Sequence, residues 1–216
     1  MLAWMIKHPV AIWSIAWGIT GIGLQLADVF SEPPRGPRWI GVITGVVAWG
    51  VAGAVTFHGN HLRRGAVIWA LAYVAAFGLA ASLGSWFEHN QYGPYSSAGF
   101  IGMLLGWAAG AALGALPSVY TMSAPGRRAR ALPMAVAWGL AFFVGGYVAL
   151  VAALLLGQAA KGAVDFTGHP RAGLMVGWAL GCALGGLLTA AMGLAVQRRL
   201  VGPSPSRCRW WRPSRR

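Results

Sequence analysis

Six long apolar stretches make up most of the chain, and short segments rich in proline, glycine and arginine separate them. The stretches cover residues 9–29, 39–58, 66–87, 98–121, 132–157 and 172–196. Each is long enough to cross the hydrocarbon core of a bilayer as a helix, which takes about 20 residues. Proline falls near the ends of these stretches and not in their middles, so the pattern predicts six unbroken transmembrane helices.

Composition places the chain in the same class. Hydrophobic residues make up 57% of the 216 positions and charged residues only 10%, whereas ordinary soluble domains carry about 25% charged residues. A soluble fold of this size could not cover so much apolar surface. We therefore expect an all-α, polytopic membrane protein, with one six-helix transmembrane domain over residues 1–200 and a disordered basic cytoplasmic tail over residues 201–216.

The distribution of charge predicts an orientation in the membrane. The net charge is +13, from 17 lysine and arginine residues against 4 aspartate and glutamate residues. With six spans, most of the cations fall on the side of the two termini. Only Arg35, Arg38, Lys161 and Arg171 fall on the opposite side, together with every acidic residue. Because cytoplasmic loops are enriched in lysine and arginine, we expect a protein of the plasma (cytoplasmic) membrane with both termini in the cytoplasm and an uncleaved first helix.

A glycine stripe recurs on alternate spans. The fourth span reads GMLLGWAAGAALGAL from Gly102 and the sixth reads GLMVGWALGCALGGL from Gly173, and the second keeps part of the pattern from Gly41. Small residues at every fourth position let helices approach closely in lipid, so these stripes predict glycine-zipper packing faces. The residues assigned to helix packing are Gly41, Gly45, Gly53, Gly102, Gly106, Gly110, Gly114, Gly173, Gly177, Gly181 and Gly185.

The odd-numbered spans share a different pattern, with WSIAW from Trp13, WALAY from Trp69 and WGLAF from Trp138. Together with the glycine stripes, this pattern predicts three copies of one helical hairpin around a pseudo-threefold axis along the membrane normal. The copies cover residues 9–58, 66–121 and 132–196. The arrangement is similar, in layout alone, to that of small urea and amide channels.

Aromatic residues of the odd-numbered spans are candidates for a constriction on this axis. The candidates are Trp13, Trp17, Trp69, Tyr73, Trp138 and Phe142. Two other interpretations of the aromatic residues in the spans stay open. They could be bulky side chains that fill space beside the glycine faces, or stacking surfaces for a bound ring.

Acidic and histidine side chains gather in the loops on the side opposite the termini. This outer polar cluster comprises Asp28, Glu32, Glu88, His89, Asp165 and His169. Carboxylate and imidazole groups can bind divalent metals such as zinc, but these residues do not have the tight spacing of a metal site. We expect a solvated loop surface, with no bound metal and no cofactor.

The C-terminal tail combines arginine with tryptophan. Its lipid-surface residues are Arg207, Arg209, Trp210, Trp211, Arg212, Arg215 and Arg216. Each cation near an anionic leaflet gains about 1 kcal/mol, so we expect the tail to contact membrane lipids and not nucleic acid. A docking arm for another membrane subunit is the alternative, and a homo-oligomer is also open.

The sequence predicts a protein without enzymatic activity, because it contains no recognisable catalytic motif and no ionisable residue in the middle of a span. The first hypothesis is a passive channel or facilitator for a small uncharged solute, with the aromatic candidates as its constriction and the outer polar cluster as its mouth. The alternative is a non-catalytic structural or assembly subunit of a larger membrane complex, which binds helices, lipid or pigment. A pore needs polar groups along a continuous path, and this requirement separates the two hypotheses.

Overall fold

The structure, a computed structural model, describes residues 2–26, 39–58, 61–87, 98–122, 125–164 and 170–201. The α-helices in this part of the chain are α1 (Leu2–Lys7), α2 (Pro9–Leu26), α3 (Trp39–Gly53), α4 (Leu62–Phe87), α5 (Ala98–Met122), α6 (Ala131–Val164) and α7 (Pro170–Val201). A π-helical turn, Ala54–His58, continues α3, and a 3₁₀-helix, Pro125–Arg130, precedes α6. Six of these helical segments are long and apolar enough to cross a membrane, which confirms the prediction of an all-α chain with six apolar helices.

The last two helices extend beyond the apolar stretches that predicted them. Helix α6 has 34 residues and α7 has 32, whereas the expected spans were 132–157 and 172–196. An apolar pattern ends where a helix leaves the bilayer, but alanine, glutamine and arginine favour the helix in water as well. Arg198 and Arg199 stand in the last turn of α7, where a cation interacts favourably with the helix dipole.

The six long helices form a closed ring. Consecutive helices pack side by side from α2 to α7, and α7 returns to pack against α2. Helix α7 runs antiparallel to α2. Trp13, near the start of α2, lies against Gly186, whereas the later residue Gly21 lies against the earlier residues Trp178 and Cys182 of α7. We call the end of the ring where α2 begins and α7 ends the proximal end, and the opposite end the distal end.

The outside of the ring is apolar. Large aliphatic side chains such as Leu71, Leu132 and Leu155 are more than half exposed on the helices. A soluble monomer rarely exposes contiguous apolar surface of this kind, whereas lipid tails solvate it well. The outer surface therefore fits a membrane protein, in agreement with the length and composition of the helices.

Glycine faces bring α5 against α4 and α7 against α6. Each glycine meets an alanine or a glycine of its partner helix. On α5, Gly102, Gly106, Gly110 and Gly114 lie against Gly84, Ala80, Ala76 and Ala72 of α4. On α7, Gly177, Gly181 and Gly185 lie against Gly157, Ala153 and Ala149 of α6. A methyl group added at Gly110 or Gly181 would overlap atoms of the partner helix, so both helix pairs depend on the missing side chain for their close approach.

The glycine face of α3 accommodates aromatic rings instead of a helix backbone. A Cβ atom at Gly45 would overlap the ring of Tyr73, and one at Gly53 would overlap the ring of Trp69. The carbonyl oxygen of Gly41 accepts a hydrogen bond of 3.0 Å from the Tyr73 hydroxyl. Helix α4 thus lies between two glycine faces, and all the glycines assigned to helix packing are buried.

Candidate functional site

An aromatic cluster fills the interior of the ring in its proximal half. We define it as Trp13, Trp49, Phe57, Trp69, Trp138 and Phe142, which belong to one buried core. Four helices supply them: α2, α3 with its π-helical turn, α4 and α6. The exposed fraction of Trp13, Trp69 and Trp138 is 0%, although most of the wall around them is built from alanine and glycine. Small wall residues on closely packed helices leave room for large rings inside.

Trp13 lies at the centre of this cluster. Its ring centroid is 5.1 Å from that of Trp69, 5.4 Å from that of Phe142 and 5.8 Å from that of Trp138. The Trp13 and Phe142 planes meet at 89°, which is the edge-to-face arrangement that aromatic pairs prefer. Each such pair adds about 0.5–1.5 kcal/mol beyond the burial of its surface, so the cluster stabilises the ring at its proximal half.

Two hydroxyl groups accept hydrogen bonds from tryptophans of the cluster. Trp13 Nε1 donates to Thr56 Oγ1 at 2.9 Å, and Trp69 Nε1 donates to Ser118 Oγ at 3.1 Å. Ser118 in turn donates to the carbonyl oxygen of Gly114 at 2.7 Å. Trp138 Nε1 is buried without a hydrogen-bond partner. The indole N–H groups of Trp13 and Trp69 are therefore satisfied within the protein, whereas that of Trp138 is not.

Sequence reasoning missed Thr56 and Ser118. The available signal was their position, because each lies on a glycine-striped helix about one turn beyond the stripe. Thr189 follows the third stripe in the same way, but its hydroxyl donates to the carbonyl oxygen of Gly185 at 2.8 Å and is not the partner of Trp138.

The distal half of the ring encloses an apolar cavity. The cavity volume is about 60 Å³, and the cavity is partly open to the surroundings. The indoles of four tryptophans line the cavity together with smaller side chains from α2, α5, α6 and α7. These tryptophans are Trp17, Trp49, Trp107 and Trp178.

Small residues create this space. Gly146 and Ala149 of α6 and Cys182 of α7 line the cavity between the indoles. The hydroxyl of Thr20 also borders it, but it donates to the carbonyl oxygen of Ala16 at 2.8 Å. The lining is consequently apolar and aromatic, and it suits a molecule that interacts through ring faces and methylene groups.

The aromatic cluster closes the cavity on its proximal side. Trp49 belongs to the cluster and also lines the cavity, and its ring centroid is 4.7 Å from that of Phe142. Trp17 lies beside it, with its centroid 5.3 Å from that of Phe142. The cavity and the cluster therefore share one boundary, near the middle of the helices.

The structure brings together all the residues predicted to form a constriction. Trp13, Trp69, Trp138 and Phe142 lie in the aromatic cluster, and Trp17 lies at its boundary with the cavity. Tyr73 reaches the same region through ring contacts of 5.2 Å with Trp49 and 5.4 Å with Trp107. Trp49, which was not among the candidates for the constriction, connects the two parts.

The other predicted sites lie outside the described residues. These are the whole outer polar cluster (Asp28, Glu32, Glu88, His89, Asp165, His169) and the whole lipid-surface tail (Arg207, Arg209, Trp210, Trp211, Arg212, Arg215, Arg216). Within the described ranges, no group of three or more histidine, cysteine, aspartate or glutamate side chains could hold a metal ion.

The fold and its interior define a class: an apolar ring of six helices, built like a membrane protein, with an aromatic cluster in one half and an apolar cavity in the other. No protein-family model, no curated protein and no solved structure matches the chain.

Proposed function

We propose that this chain is a non-catalytic membrane protein that binds an apolar molecule, a lipid or a pigment, in the distal cavity. The observation that carries this proposal is the lining of the cavity, where four indoles surround a space bordered by glycine, alanine and cysteine. Indole rings offer large, rigid and flat contact surfaces, which suit ring systems and long hydrocarbon chains. A lining of this kind offers few partners to a strongly hydrated solute, which would lose its water without replacement.

The proposal is tested by filling the cavity. A side chain at Gly146 would point at the Leu104 Cδ2 atom, 2.9 Å from the added Cβ, and Leu104 can turn away because this is the end of a flexible side chain. Gly146→Val therefore removes space without a backbone clash. We expect an apolar compound to purify with the wild-type protein in about equimolar amount, and to be depleted in the variant. Mass spectrometry of an organic extract of the purified protein measures both.

Gly78→Val is the matched control. Gly78 lies on the outside of α4, and an added Cβ has no neighbour within 4 Å. The control variant adds the same side chain to a membrane-facing glycine, so it should retain the compound. Equal amounts in all three proteins, or no compound beyond the bulk lipid, would contradict the proposal.

A channel for a small uncharged solute is the second candidate. One observation favours it: the predicted constriction residues meet in the ring interior, at the closed end of the cavity. For a solute to pass along the axis of the helix ring, the packed aromatic side chains of Trp13, Trp69 and Phe142 must separate. The test is solute flux into proteoliposomes. Flux above that of empty vesicles, raised further by Trp69→Ala, supports a channel. Flux equal to that of empty vesicles rules out the channel hypothesis.

We also propose that the proximal end faces the cytoplasm. The described cations at this end include Lys7, Arg63, Arg64, Arg130 and Arg199, and all of these are exposed. This arrangement agrees with the enrichment of lysine and arginine in cytoplasmic segments. A C-terminal fluorescent-protein fusion should therefore be fluorescent, and a C-terminal alkaline-phosphatase fusion inactive. The opposite result would reverse the orientation.

A shared origin of the three hairpins is proposed as well. It is supported by the glycine-to-alanine contacts, which follow the same spacing in α4–α5 and in α6–α7. It is also supported by the tryptophan-to-hydroxyl hydrogen bonds of Trp13 and Trp69. Replacing residues 102–116 by the sequence of residues 173–187 should leave a folded protein, detected as a monodisperse peak in detergent. Aggregation of this chimera would contradict the equivalence of the two helices.

A further inference from the structure

Four arginines lie on two distant segments that contact each other at the proximal end of the ring. Arg128 and Arg130 belong to the 3₁₀-helix before α6, and Arg198 and Arg199 belong to the last turn of α7. Arg130 Nη1 donates a hydrogen bond to the carbonyl oxygen of Leu200, which holds the two segments together. We call these four residues the arginine patch. All four side chains are exposed.

No acidic side chain of the described part of the chain neutralises this patch. All 4 acidic residues of the sequence lie outside the described residues, in segments that follow the distal ends of α2, α4 and α6. Like charges held close together repel each other, and an anion bound between them relieves the repulsion. The patch is therefore suited to bind an anion from outside the protein.

Apolar surface adjoins the charge. The guanidinium carbon of Arg128 lies 4.9 Å from the centre of the Tyr120 ring. The Tyr120 side chain is 52% exposed, and that of Leu132, two residues after Arg130, is 65% exposed. A partner that covers both kinds of surface must combine an anionic group with an apolar body.

We infer that the arginine patch binds the phosphate of an anionic phospholipid. Guanidinium groups hold phosphate oxygens through paired N–H donors, a geometry that lysine does not provide. Basic pockets between transmembrane helices recognise lipid headgroups in the same way. The acyl chains extend along the exposed apolar surface near Tyr120 and Leu132. Binding at this patch is independent of the distal cavity, which lies in the opposite half of the ring.

The test compares two variants that lose the same charge at the same end of the ring. Arg128→Gln/Arg199→Gln removes one arginine from each segment of the patch and leaves the Arg130–Leu200 contact in place. Arg63→Gln/Arg64→Gln is the control, because these two exposed arginines begin α4 and lie outside the patch. Each purified full-length protein is incubated with vesicles of phosphatidylcholine containing phosphatidylglycerol, and the phosphatidylglycerol retained is counted by native mass spectrometry.

We expect the patch variant to bind phosphatidylglycerol about thirtyfold more weakly than the wild type, because it loses two cations at about 1 kcal/mol each and 1.4 kcal/mol is tenfold. The control should stay within about twofold of the wild type, because its two arginines lie outside the patch and do not hold the bound phosphate. Equal losses in both variants would mean that diffuse charge and not the patch attracts the lipid. Unchanged binding in the patch variant would also overturn the inference. Melting temperatures of all three proteins are measured in parallel, so that a folding defect is recognised as such.

Discussion

The two halves of the ring interior differ although the same six helices build both. In the proximal half, rings from four helices fill the space, and Trp13, Trp69 and Trp138 are fully buried. In the distal half, Trp17, Trp107 and Trp178 border a cavity and are only partly buried. Tryptophan is therefore used in two ways within one protein, as core and as lining.

The difference arises from what stands opposite each indole. Trp69 fits into the space left by Gly53 of α3 and approaches Gly114 of α5. Its ring therefore packs close to the backbone of both helices. Trp178, in contrast, borders the cavity together with Gly146, Ala149 and Cys182, and open space remains between these small groups. Small residues therefore pack tightly where a large side chain fills the space beside them, and they leave a cavity where no side chain fills it.

The largest effect is expected from truncating a ring of the aromatic cluster. Trp69→Ala leaves a void among fully buried neighbours and removes the hydrogen bond to Ser118, so we expect the free energy of unfolding to fall by about 3–5 kcal/mol. Trp178→Ala, at the edge of the cavity, should cost less than half as much. Unfolding in mixed micelles, followed by circular dichroism, measures both. Equal losses would remove the distinction between core and lining.

Glycine-to-alanine changes probe the walls common to both halves. At Gly181 an added methyl group would overlap the backbone of Ala153, so the helices must move apart, and we expect a loss of about 1–3 kcal/mol. Gly78→Ala adds the same methyl group where nothing lies within 4 Å. There we expect unchanged or slightly increased stability, because alanine is the better helix former. Thermal unfolding of the two variants separates packing from helix propensity, and equal effects would refute the packing role.

A smaller effect is expected from the hydroxyl partners. Thr56→Val keeps the shape of the side chain but leaves Trp13 Nε1 without an acceptor, and we expect a loss of about 1–2 kcal/mol. Comparison of the variant with Trp13→Phe/Thr56→Val tests the hydrogen bond itself. If the two changes add independently in a double-mutant cycle, the bond contributes nothing to stability.

The smallest hydrogen-bond effect is expected at Trp138, whose N–H has no partner. Trp138→Phe removes an unsatisfied donor together with part of a ring, and the two consequences oppose each other. We therefore expect a smaller loss of stability than from Trp13→Phe, which also breaks a bond of 2.9 Å. A loss as large as that of Trp13→Phe would indicate that ring volume alone decides stability in the cluster.

Much of the fold could be predicted because its signals are local. A run of apolar residues long enough to cross a bilayer forms a helix there whatever surrounds it, since its backbone polar groups must pair within the segment. The glycine stripes likewise mark faces of close approach, and Gly106 and Gly181 lie against α4 and α6. Neither inference required knowledge of which helices are neighbours.

The interior could not be predicted because it depends on the closure of the ring. Whether Trp49 lines a cavity or fills a core is decided by the residues opposite it, which come from α2, α4, α5 and α6 and not from its own helix. The pairing of Trp13 with Thr56 likewise depends on the π-helical turn at the end of α3. A repeat pattern indicates which residues correspond to each other, but it does not give the radius of the ring that they enclose.

The contact between α2 and α7 has a consequence for biosynthesis. Domains are made from the N-terminus onward, so α2 enters the membrane first and the helix that covers it enters last. Until then the face of α2 with Gly18 and Gly21 lacks its partner, and Ser14 lacks the carbonyl of Ala183 to which it donates at 2.8 Å. The helices inserted before α7 consequently form an open arc with two uncovered edges, and insertion of α7 is the step that joins these edges and closes the ring.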